Sequence, residues 1–125
     1  HLDNYSESRN KAAAYYDQAF ADTEQLTTPK RASNSTHVFH QYTLVANGVD
    51  RTGLVEFLAG RGIPAMIYYP VPLHMQKAYS GNYEEGAFPI TEDLCKKVFS
   101  LPMHTELNDE QLDFITASVK EFISK

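Results

Sequence analysis

The chain has 125 residues, 42% of them hydrophobic, with 11 basic and 16 acidic side chains and a formal net charge of −5. That length supports one domain with a core and is short for two. An acidic balance with basic residues scattered singly or in pairs, such as Lys96–Lys97, excludes a general nucleic-acid binder, which needs clustered Lys and Arg.

The single cysteine, Cys95, excludes an internal disulfide framework and suits a reducing compartment. No apolar run approaches the ~20 residues of a membrane span, and no signal peptide opens the chain, so a cytoplasmic domain without a membrane partner is expected. The first residue is His1 rather than Met, which fits a chain cut from something longer.

Leu2, Tyr5, Arg9, Ala12, Ala13, Tyr16 and Phe20 recur at spacings of three and four, which predicts a leading amphipathic helix over residues 1–21. Residues 22–36 are poor in apolar side chains and read as a linker. An α/β core is expected over 37–125. "HVFHQYTLVA" (37–46) is rich in β-branched and aromatic residues and reads as a strand. After the turn "NGVD", Asp50 is the expected N-cap of a helix buried through Leu54, Phe57 and Leu58, with Val49 and Leu54 as a hydrophobic staple. "GRG" ends that helix.

Residues 63–69 read as a second strand, which Pro64 confines to an edge or a start. Thr91 is the expected cap of a short helix through Val98, with Glu92 and Asp93 at its positive end and Lys96 and Lys97 at its negative end. "SLP" (100–102) offers a third short strand. The last helix is the best specified: Asn108 caps it, Gln111 completes a capping box, Leu107 and Leu112 form the staple, and Leu112, Ile115, Val119 and Phe122 share one face. Helices packed on a small sheet make an α/β or α+β fold.

The residues do not spell out a self-sufficient active site. His37-x-x-His40, His74 and His104 invite a metal reading, but residues three apart on a strand face opposite ways, so His37 and His40 cannot share one ion. Cys95 lies in an amphipathic helix, where a free Cys is usually a small buried hydrophobe. No nucleophile elbow or P-loop is present. What remains is a set of hydrogen-bonding aromatics, imidazoles and amides near the strand ends: His37, His40, Gln41 and Tyr42, then Tyr68, Tyr69, His74 and Gln76. Such groups suit a sugar or nucleotide, whose hydroxyls need donors and acceptors and whose ring needs a flat wall. Pro70 and Pro72 stiffen the loop that carries the second set. Composition alone equally allows amphipathic rim residues over a core, with prolines that simply end a strand.

The order "HQYTLVANGVDRTGLVEFLAGRGIPAMIYYPVPLHMQKAY" followed by "FPITEDLCKKVFSLPMHTELNDEQ" resembles the C-terminal portion of the DegT/DnrJ/StrS family of sugar aminotransferases, from about His37 to the end. The resemblance implies the C-terminal small domain of a fold-type I, pyridoxal phosphate (PLP)-dependent enzyme. Such an enzyme moves an amino group, from glutamate, to a nucleotide-linked keto-sugar for polysaccharide or modified-sugar biosynthesis. It implies that the Schiff-base lysine, and so PLP, belongs to a large N-terminal domain absent from this chain. No cofactor is then expected in the fragment, which would be inactive alone, and a homodimer is implied for the full-length enzyme. None of Lys11, Lys30, Lys77, Lys96, Lys97, Lys120 and Lys125 is assigned the catalytic role. The resemblance makes Tyr68, Tyr69, His74, Gln76 and His40 the substrate-binding candidates. Where the family often has His-Tyr-Pro, this chain has Tyr68-Tyr69-Pro70, and the closest variants of that loop point to a UDP-linked 3-keto sugar acid. The competing expectation is a stand-alone, non-catalytic α/β binding or interaction module.

Overall fold

In the computed structural model, which describes residues 1–79 and 81–125, the element order is α1 (Leu2–Ala19), β1 (Leu26–Thr27), β2 (Tyr42–Ala46), α2 (Arg51–Gly60), α3 (Pro89–Lys97), β3 (Val98–Leu101) and α4 (Asp109–Ile123). Two 3₁₀ turns, Leu73–Met75 and Lys77–Tyr79, lie between α2 and α3. The sheet is antiparallel in the order β1-β2-β3, so the fold is α+β. The register sets Tyr42 opposite Leu101, Thr43 opposite Ser100 and Leu44 opposite Phe99.

Alternation along β2 buries Tyr42, Leu44 and Ala46 on one face. These pack with Tyr16 of α1 and Phe20 just beyond it, Leu54 and Leu58 of α2, and Val119 of α4. Two buried tyrosines keep hydrogen bonds inside this core, as burial of a hydroxyl demands. Tyr16 Oη donates to the Pro102 carbonyl at 2.9 Å, and Tyr42 Oη donates to Asp17 Oδ1 at 2.7 Å. Burial raises both phenols well above the usual tyrosine range, and the Asp17 carboxylate pushes Tyr42 further.

The helix signals at Asp50 and Asn108 act as expected. Asp50 Oδ1 accepts from the Gly53 amide at 3.0 Å. The α4 box is complete: Asn108 Oδ1 accepts from Gln111 N at 2.9 Å, and Gln111 Oε1 accepts from Asn108 N at 3.1 Å. Beyond α2, Gly62 takes φ 76°, a conformation glycine adopts without a Cβ clash.

Four expectations change. The stretch 22–36 holds β1, because Leu26 is buried and pairs with Ala46. The strand expected over 37–46 starts only at Tyr42: Phe39 sits at φ 45°, and its amide donates to His37 Nδ1 at 2.9 Å, so the chain turns there. The strand expected over 63–69 reduces to one bridge, Met66 with Ser100, flanked by prolines that cannot extend a ladder. Helix α3 starts at Pro89, with Thr91 inside it, because proline suits the first helical position; no side chain caps it, and the Glu92 carboxylate accepts from the amide of Phe88 just before it.

Candidate functional site

The five candidate residues fall in three shallow clefts. Tyr68, Tyr69 and Gln76 line the first, about 400 Å³, with Pro70, Val71, Met75 and Lys77. His74 lines the second, about 300 Å³, with Leu73, Tyr79, Tyr83, Phe88 and Thr91. His40 lines the third, about 350 Å³, with His37, Val38, Phe39 and Gln41. The turn Leu73–Met75 is shared between the first two, so they form one rim.

On that rim Tyr68 and Tyr69 are 49% and 65% exposed, with rings at 51° to one another and centroids 6.5 Å apart. Large amphipathic side chains held out on a proline-stiffened backbone offer flat area and a hydroxyl donor at little entropic cost. Gln76 is exposed beside them.

His74 behaves differently. It is buried, and its Nε2 meets Glu92 Oε1 at 2.9 Å. Its ring packs on Phe88 at 4.8 Å and meets the edge of Tyr83 at 6.3 Å. Sequence reading treated Glu92 only as a dipole-facing acid and missed its reach. The Gly86 amide donates to both carboxylate oxygens at 2.9 Å, and the Phe88 amide donates to Oε1 at 3.2 Å. Burial opposes ionisation of Glu92, but these amides and His74 outweigh it and hold the carboxyl below its usual range. The available signal was an acid in the first turn, four residues after Phe88.

Arg51 is a second missed residue. Its Nη1 donates to the carbonyls of Cys95 at 2.6 Å and Val98 at 3.3 Å, tying the start of α2 to the end of α3. Cys95 is buried as expected of a small hydrophobe. His40 and His104 are exposed, and His37 is occupied with the Phe39 turn. Among the described residues no three His, Cys, Asp or Glu side chains converge as metal ligands would. No helix there is long and apolar enough to cross a membrane.

The sequence profile of the DegT/DnrJ/EryC1/StrS aminotransferase family matches residues 1–120. A pleiotropic regulatory protein of Geobacillus stearothermophilus is 40% identical over 125 residues, 98% of this chain and 33% of that protein. A UDP-N-acetyl-3-dehydro-alpha-D-glucosamine 3-aminotransferase of Acidithiobacillus ferrooxidans is 34% identical over 120 residues, 96% of this chain and 31% of that enzyme. Among solved structures, S. venezuelae DesV in complex with a ketimine intermediate superposes with a TM-score of 0.93 at 31% identity, over 100% of this chain and 33% of that one. The chain therefore spans about a third of the length of the relatives it matches.

Proposed function

The chain belongs to the DegT/DnrJ/EryC1/StrS aminotransferase family, and from that membership we propose that it is the C-terminal small domain of a PLP-dependent sugar aminotransferase. The enzyme transfers an amino group from glutamate to a nucleotide-linked keto-sugar, of the UDP-linked 3-keto class. This chain supplies a wall of the substrate site. The observation that carries the reading is the rim: two exposed tyrosines on a loop stiffened by Pro70 and Pro72, with Gln76 beside them.

The rim residues do not fit a PLP site of their own. Lys77 is the one lining residue able to form an imine, and no carboxylate lines that cleft to pair with a pyridine nitrogen. The cofactor is therefore assigned to the part of the enzyme beyond residues 1–125, and no bond-making step is assigned to this chain. Its residues bind and orient. Tyr68 and Tyr69 lay ring faces against the sugar or base and donate hydroxyls to phosphate or sugar oxygens, while Gln76 offers an amide donor and acceptor. Tyr68 carries no positive charge in this role, so attraction for the diphosphate has to come from other groups.

Incubating the complete protein with PLP, glutamate and a panel of UDP-linked 3-keto sugars, neutral and uronic, tests the reading. Formation of 2-oxoglutarate that depends on the keto-sugar is expected. Turnover of none of the panel, or equal turnover of simple keto acids in its place, would overturn it.

A further inference from the structure

Residues 67–79 and 81–87 carry the rim and its continuation, yet they lie outside every strand and long helix. Their backbone bonds are local, such as Met75 N to Pro72 O at 2.9 Å and Tyr79 N to Gln76 O at 2.8 Å. Among the described residues, each hydrogen bond that leaves this segment for the rest of the domain ends on one side chain, the Glu92 carboxylate, from His74 and from Gly86. Gly86 presents its amide from φ 89°, where a side chain would be strained. Glu92 stands on α3, and Arg51 fixes the far end of that helix to α2.

We infer that Glu92, acting through His74, is the positioning residue that sets the Tyr68–Lys77 rim for the sugar nucleotide. His74 lies between the two halves of the rim in sequence, Tyr68–Tyr69 before it and Gln76–Lys77 after it. Holding its ring at a buried carboxylate therefore fixes both halves with one contact. Neither Glu92 nor His74 lines the Tyr68–Tyr69 cleft, so the effect is indirect. A preorganised rim saves the ordering cost at binding, and that saving appears in acceptor affinity. The inference rests on reading the rim as the sugar-nucleotide wall.

The test uses the complete protein with glutamate and a UDP-linked 3-keto sugar. Glu92→Gln sets an amide N–H against the Gly86 N–H. Acceptor KM then rises about tenfold, the scale of one lost charge-assisted hydrogen bond, while kcat stays within about twofold and the glutamate half-reaction is unchanged. His74→Asn gives the same split, and the double variant is no worse than the worse single one, because the pair acts as a unit. Glu92→Asp keeps the charge with one methylene less reach and gives a smaller rise; it also serves if Glu92→Gln does not fold. An unchanged acceptor KM in folded Glu92 variants, or an equal fall in the glutamate half-reaction, overturns the inference while Tyr69→Ala still raises acceptor KM. If Tyr69→Ala leaves that KM unchanged too, the wall reading itself fails.

Discussion

Phe39 combines two opposing effects whose balance can be worked out. It is 1% exposed, packed on His37 at 4.3 Å and Tyr42 at 6.2 Å, with the Arg31 guanidinium 4.6 Å from its ring centre. It also sits at φ 45°, a region that costs a side-chain-bearing residue about 1 kcal/mol or more. Removing a buried Phe ring costs about 3–5 kcal/mol, so packing outweighs strain and both Phe39→Ala and Phe39→Gly should be less stable than the parent. The two variants lose the same ring and differ only in backbone freedom. At an ordinary position Gly is about 0.5–1 kcal/mol worse than Ala. Here the order should invert, because Ala keeps a strain of about 1–3 kcal/mol that Gly relieves, and set against the backbone-entropy penalty this leaves Phe39→Gly the more stable by about 1 kcal/mol. Urea denaturation with equal m-values reads the difference in midpoints. Phe39→Ala proving more stable than Phe39→Gly would refute the strained turn, and Phe39→Gly exceeding the parent would refute the packing argument.

Acid unfolding should report on Glu92. Its carboxyl is lowered in the folded state, so its contribution is complete above the ordinary value of 4.5 and is lost as pH falls through the lower folded value. The stability gap between parent and Glu92→Gln should therefore close as pH falls below about 4.5 in pH-dependent denaturation; a gap that widens toward acid would contradict the assignment. Asn108→Ala removes one side of the α4 capping box and should cost about 1 kcal/mol by the same assay, with no change in the far-UV spectrum of the folded state.

The parts of the fold legible in the sequence were those set by local chemistry. The capping box at Asn108 and Gln111 and the Asp50 cap each need only a few neighbouring residues, and the structure reproduces them, whereas the face read along α1 is buried only from Ala12 on, with Leu2 and Tyr5 exposed. The parts that were not legible depend on distant partners or on backbone outliers. Strand β1 exists because Leu26 meets Ala46, twenty positions away, and no periodicity marks a two-residue strand. A run of aromatic and β-branched residues at 37–46 reads as one strand until Phe39 turns the chain, a choice stabilised by His37 and invisible to propensity.

The site divides in the same way. The tyrosine and proline loop was legible because its composition is unusual over a short span. That His74 turns away from that loop to a buried carboxylate 18 residues on was not, since the pairing is tertiary. Glu92 drew attention only as a charge near a helix end, while its geometry makes it the anchor of the loop.

The proposal divides the labour of the enzyme: residues 1–125 shape the acceptor site, and the cofactor is held by the rest of the protein. Borohydride reduction in the presence of PLP, followed by peptide mass mapping, separates the two roles. The complete protein should give one stoichiometric pyridoxyl-lysine outside residues 1–125, and this chain alone should give none. A stoichiometric adduct on a single lysine within the 125 residues would contradict the claim.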